Sequence, residues 1–191
     1  GALMRLVAGS CTDVGQVRSI NEDNLLVVDG LFAVADGMGG HRSGEVASEA
    51  ALARFRDSVT NRTLDELMSA VQAANREVFE QSHSAPELAG MGTTLCAVCV
   101  LDELRVGIVN VGDSRVYLLR GDEFFQISED HSFVESLVRE GRLTRAQADV
   151  HPQRNVLTRA LGIESHIEVD GWEVVVYATD RFVLCSDGLF N

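Results

Sequence analysis

Apolar positions along this chain fall in two spacings. From Leu64 to Val78 they recur every three or four residues, whereas after Gly92 they come in short continuous or alternating runs. The first spacing is that of a helix with one buried face, the second that of strands. Thr94–Leu101, Leu104–Val111, Arg115–Leu119 and Glu123–Ile127 predict strands separated by Asp102-Glu103, Gly112-Asp113-Ser114 and Arg120-Gly121-Asp122. Turns this short are expected to join antiparallel neighbours. The first of these strands is apolar on both faces, which predicts cover on both sides. Leu3–Cys11, Asn24–Asp29, Leu31–Ala35, Glu168–Val176 and Phe182–Cys185 read as further strands. A helix is predicted from about His41 to Val59, with Val46, Ala47, Ala50, Ala51 and Ala53 at helical spacing. A second carries Leu64, Leu67, Met68, Val71, Ala74 and Val78 on one face, and Thr63-x-x-Glu66 opens it as a capping box. Residues 131–149 read as helical, opened by Ser132-x-x-Glu135. The class is α+β, with two antiparallel sheets packed face to face and helices outside.

Composition narrows what such a domain does. The chain has 191 residues, 46% hydrophobic and 24% charged, enough for one well-buried domain and short for two. It has 16 lysines and arginines against 29 acids, a net charge of −13. So acidic a chain is a poor binder of nucleic acid or of an anionic membrane. To handle an anionic substrate it needs help, and bound divalent cations are the usual help. No uncharged run is long enough to span a bilayer, and the N-terminus lacks the layout of a signal peptide. Gly1-Ala2-Leu3 before Met4 reads as a cloning scar. Cys96-Ala97-Val98-Cys99 looks like half a zinc site, but on a strand the two thiols lie about 10 Å apart on opposite faces. No second Cys/His pair completes it. The four cysteines, Cys11, Cys96, Cys99 and Cys185, are therefore expected to be buried thiols in a reducing compartment.

Candidate chemistry lies at the ends of the strand-like runs. Three of them end in an aspartate: Val34-Ala35-Asp36-Gly37, Val111-Gly112-Asp113 and Leu184-Cys185-Ser186-Asp187-Gly188. Each alone reads as a turn. Gathered where strand ends meet, the carboxylates repel one another unless cations lie between them. Oxygen-only ligands select hard ions, Mg²⁺ or Mn²⁺. A second constellation is Arg18-x-x-Asn21-Glu22-Asp23. It reads either as a charged loop with a local ion pair, or as a phosphate-gripping arginine beside two carboxylates that hold metal-bound water.

Six segments then occur in a telling order: Arg18-x-x-Asn21-Glu22-Asp23, Ala35-Asp36-Gly37-Met38-Gly39-Gly40-His41, Met91-Gly92-Thr93-Thr94-Leu95, Val111-Gly112-Asp113-Ser114-Arg115, Glu129-Asp130-His131-Ser132 and Ser186-Asp187-Gly188-Leu189. In this the chain resembles the bacterial branch of the PP2C family of metal-dependent protein serine/threonine phosphatases, from about Ala8 to the last residue. The resemblance implies a four-layer αββα sandwich with two Mn²⁺ or Mg²⁺ ions at one end. It implies that Asp36 bridges both metals, that the Gly37 carbonyl and Asp187 bind metal, and that Glu22 and Asp23 hold metal-bound water. Asp113 with Asp187 is expected to form a third-metal site, and Arg18 to bind the substrate phosphate. Residues 131–155 match the family's flap, a substrate-selecting segment, with Asp130 expected to cap its helix. The implied reaction is hydrolysis of phosphoserine and phosphothreonine in proteins by a metal-bridging hydroxide, with no phospho-enzyme. The implied partners are phosphoproteins of a serine/threonine kinase system, and the implied location is the cytoplasm or the cytoplasmic part of a longer protein.

Two departures stand out. Met38 occupies the place of a histidine thought to be the general acid in many eukaryotic members. The leaving alkoxide then takes its proton from a metal-bound water, from His41 or from another group. The family also continues past Ser-Asp-Gly, where a later Asp-Asn adds a ligand to the first metal. The given chain stops at Asn191, so residues 1–191 are expected to be a single catalytic domain without its C-terminal end, binding Mn²⁺ weakly and self-associating along the strand that ends at Cys185. Two other readings compete. Gly37-x-Gly39-Gly40 after a strand, with Asp57 downstream, mimics a dinucleotide fingerprint, but Arg42 stands at the third glycine position and Asp36 repels a pyrophosphate. A regulatory module on a phosphatase fold is the other, separated from an enzyme by metal-dependent turnover of p-nitrophenyl phosphate.

Overall fold

The computed structural model describes residues 6–11, 21–40 and 42–190. A six-stranded antiparallel sheet holds β1 (Asp23–Val28), β2 (Leu31–Met38), the two-residue β3 (Gly92–Thr93), β4 (Leu95–Val100), β5 (Arg105–Val111) and, added last along the chain, a strand at Asp170–Val175. A three-stranded sheet holds β6 (Arg115–Arg120), β7 (Glu123–Gln126) and a strand at Arg181–Cys185. These late strands are β8 and β9, so the orders are β1-β2-β4-β5-β8, with β3 on β2, and β7-β6-β9. The helices are α1 (Arg42–Ser58), α2 (Leu64–Ser84), α3 (Phe133–Arg139) and α4 (Arg145–Asp149).

β4 shows why two sheets and two helices are needed. Its Leu95, Ala97 and Cys99 pack with Phe55 of α1 and with Leu67, Val71 and Val78 of α2. Its Cys96 and Val98 face the small sheet, where they meet Val116 and the flanking Phe182 and Leu184. An alternating strand that is apolar throughout thus feeds two cores, each buried side chain contributing about 1.5–3 kcal/mol. α2 buries the face expected of it. α1 buries Ala47, Ala51, Leu52 and Phe55, while Val46 and Ala50 lie at the edge of the same core.

Several expectations change. Residues 6–11 carry no strand and Cys11 is exposed, unlike the other three thiols. Residues 131–149 form two short helices, not one. The Gly112-Asp113-Ser114 turn does not join neighbours: β5 already has β4 and β8 on its two sides, so the chain leaves that sheet and enters the other as β6. The two capping boxes are each half formed. Thr63 accepts from Glu66 N, but the Glu66 carboxylate turns to Thr60 and Asn61. Ser132 accepts from Glu135 N, while Glu135 pairs with Arg145. The complete box is at Thr144 and Gln147.

Candidate metal and phosphate site

Asp36 lies in β2, 9% exposed, directly opposite Asp23 of β1. Its backbone is clamped from the start of β4. Asp36 N–H donates to Thr94 Oγ1 (3.0 Å), and its carbonyl accepts from Thr94 N–H (2.9 Å) and Thr93 Oγ1 (3.1 Å). Thr94 Oγ1 also shares a 2.7 Å hydrogen bond with Ser114 Oγ, beside Asp113. One buried hydroxyl therefore ties the end of β2 to the link between β5 and β6. Gly37 N–H donates to Glu22 O (3.1 Å), and a methyl at Gly37 would collide with the Gly44 carbonyl of α1. Close approach of two backbones requires glycine there. Ser48 of α1 holds the same loop by donating to Glu22 O (2.7 Å) and accepting from Asn24 Nδ2 (2.8 Å).

The third strand end arrives through Ser186, whose Oγ donates to Asp23 Oδ2 at 2.8 Å. The next residue, Asp187, starts a single 3₁₀ turn. Asp113 feels this company: burial first, then the Asp187 and Asp130 carboxylates, push its carboxyl up to about 7. Asp113 and Asp187 are thus close enough to feel one another, and the backbone of Asp36 and the carboxylate of Asp23 are tied to the same strand ends through Thr94–Ser114 and Ser186. Arg18 and His41 lie outside the described residues.

Asp130 does not cap the flap helix, because Ser132 is its N-cap. Asp130 instead holds Arg115 through both carboxylate oxygens (2.7–3.2 Å), and the guanidinium lies 3.6 Å over the Phe190 ring. Arg115, Gln126 and Phe190 line a cavity of about 700 Å³ whose other wall is Arg145, Asp149 and Arg154 of the flap region. The supporting side chains Thr94, Ser114, Ser48 and Ser186 were missed from the sequence. For Thr94, Ser114 and Ser186 the one available signal was their place in segments already singled out; Ser48, inside α1, gave none.

The donor set fits a hard divalent cation. It is oxygen-only, and Asp23 Oδ1 is buried with no hydrogen-bond partner, a lone pair that folding leaves for something else. The carboxyl of Asp113 is held up by burial and then by anionic neighbours, and a cation would offset the latter. Among the described residues, no three His, Cys, Asp or Glu side chains are already closed round one point.

The protein phosphatase 2C family model matches residues 16–191. A serine/threonine phosphatase, stp, of Listeria innocua is 42% identical over 94% of this chain and 76% of its own length. The serine/threonine protein phosphatase PstP of Mycobacterium tuberculosis is 46% identical over 93% of this chain and 35% of its own. The solved catalytic domain of a PstP in complex with two manganese ions superposes with a TM-score of 0.83 at 39% identity, covering 99% of this chain and 76% of that one.

Proposed function

Because this chain belongs to the protein phosphatase 2C family and is a metal-dependent protein serine/threonine phosphatase, we propose which of its residues carry the reaction. Asp36, Asp187 and the Gly37 carbonyl hold two divalent cations, Mn²⁺ or Mg²⁺. Asp113 with Asp187 holds a third. Glu22 and Asp23 keep water in place around them, and Arg18 grips the substrate phosphate. The observation that carries this reading is the tying together of the three aspartate-bearing strand ends through Thr94–Ser114 and Asp23–Ser186, with Asp187 beside Asp113. The two manganese ions of the similar PstP structure support it.

When bound, the cations acidify a water for in-line attack on phosphorus and neutralise charge on the phosphoryl oxygens. The chain's own part is positional. β2 and the β5–β6 link hold their carboxylates rigidly, and Arg18 orients the phosphate by its planar fork. Met38 cannot donate a proton to the leaving alkoxide, which leaves His41 or water for that step. The flap of residues 131–155 forms one wall of the arginine-lined cavity, which supports its role in choosing among phosphoproteins. We read residues 1–191 as one catalytic domain acting in the cytoplasm on the products of a serine/threonine kinase. No helix among the described residues is long and apolar enough to cross a membrane.

The test is hydrolysis of a phosphothreonine peptide with and without chelator. Excess EDTA, or Asp36→Ala, is expected to lower the rate at least about a hundredfold, since metal catalysis supplies several kcal/mol. Unchanged turnover in either case would refute the assignment.

A further inference from the structure

The link that carries Asp113 has no strand neighbour of its own, and yet it is held at two points by one residue. Gly112 N–H donates to His131 Nδ1 at 3.0 Å, and the Gly112 carbonyl accepts the His131 backbone N–H, also at 3.0 Å. Asn110 Nδ2 reaches the same carbonyl at 3.3 Å. Gly112 has φ +108°, and a methyl there would sit 2.6 Å from Thr94 Cγ2, so the turn is tight as well as left-handed. His131 is 3% exposed. Because Nδ1 accepts, the ring hydrogen is on Nε2, which faces Asp170 Oδ2 of β8 at 2.7 Å. Asp170 is in turn held by Arg159 through Oδ1 at 3.0 Å. The His131 carbonyl accepts from Thr158 N–H (2.9 Å), and Ser132 bridges to Leu157, so the same residue pins the two ends of the flap together.

We propose that His131 is a positioning residue for Asp113: its ring, oriented by Asp170 and Arg159, locks the Gly112 peptide so that the Asp113 carboxylate stays aimed at the shared cation site with Asp187. The proposal rests on the reading of Asp113 as a cation ligand given above. A buried peptide N–H that lost its acceptor would seek another, and the Val111–Gly112 peptide plane, the one that leads into Asp113, would turn with it. Ligand-orienting groups of this kind are worth about ten- to a hundredfold in metal affinity. His131 also sits at the root of the flap, held there by its backbone, so the position of the flap and the aim of Asp113 share one residue.

Two substitutions separate the two ring nitrogens. Asn places its Oδ1 near the position of Nδ1, whereas Gln places its amide near Nε2. His131→Asn keeps the acceptor for Gly112, and His131→Gln keeps only the contact with Asp170. Calorimetric titration of the substrate-free protein with Mn²⁺ is expected to show the site that Asp113→Asn removes lost or weakened about tenfold or more in His131→Gln, and kept within about threefold in His131→Asn. Thermal unfolding of the metal-free variants is read alongside. Equal loss in both variants, or wild-type affinity in His131→Gln, would overturn the proposal. Asp113→Asn is the control. If it loses a site that His131→Gln keeps, the role of His131 fails alone. If Asp113→Asn titrates like wild type, the reading of Asp113 fails and takes the role of His131 with it. A second measurement needs no variant. Long-range ¹H–¹⁵N spectra of the wild-type protein are expected to show His131 protonated on Nε2, and a ring protonated on Nδ1 instead would overturn the grip on Gly112.

Discussion

At the residue scale, Asp113 is a carboxyl whose chemistry is strongly altered by its place. Its carboxyl is pushed up to about 7 by burial and by the Asp187 and Asp130 charges, against about 3.9 in an unfolded chain. The folded, metal-free protein therefore holds an extra proton between those values. The stability this contributes is complete below about pH 4 and is lost as pH rises through about 7. Chelator-treated protein is expected to weaken between pH 5 and pH 8. Asp113→Asn cannot ionise, so it should flatten that slope and exceed wild type at pH 8 by up to about 3 kcal/mol. Urea titrations at both pH values check this, and parallel slopes for the two proteins would contradict it. The aspartates themselves were legible in the sequence, because Asp followed by Gly or Ser after an apolar run is a local pattern. Asp130 was misread: its position just before a helix looked like a cap, and its true partner, Arg115, lies on β6.

At the element scale, what matters is how strand ends are joined. Thr94 is the joint: its hydroxyl accepts from Asp36 and meets Ser114 across the gap to the other sheet. Thr94→Val keeps the shape but leaves the buried Asp36 N–H without its acceptor, which is expected to destabilise the protein by about 1–3 kcal/mol. It should also lower kcat/KM, and Thr94→Ser should recover most of both. Chemical denaturation and steady-state kinetics on the pair check this; a fully stable Thr94→Val would show the joint to be dispensable. The periodicity of α2 and the two-faced character of β4 were readable, since both follow from apolar spacing within the element. The half-formed capping boxes were not, because Glu66 and Glu135 each found a competing partner outside the box, Glu135 in Arg145 ten residues on.

At the scale of the whole molecule, a net charge of −13 surrounds a site for an anionic substrate. The field opposes acidic phosphopeptides and draws in basic ones. Matched phosphothreonine peptides with basic and acidic flanks are expected to differ about tenfold in kcat/KM at low salt, in favour of the basic one. The ratio should approach one near 0.5 M salt, where screening acts within about 4 Å. A salt-independent ratio would place the preference in direct contacts instead. The class of the fold and the order of most of its elements were determined by the sequence alone, and the strand-end aspartates were readable as candidates, because apolar spacing and an aspartate after an apolar run are properties of neighbours along the chain. Only the tertiary structure decided that the chain changes sheets at Gly112, and that Thr94, Ser186 and His131 hold the site together. The physical reason is distance along the chain: those contacts join residues 58, 163 and 19 positions apart, and a hydrogen bond across such a gap leaves no periodicity to read.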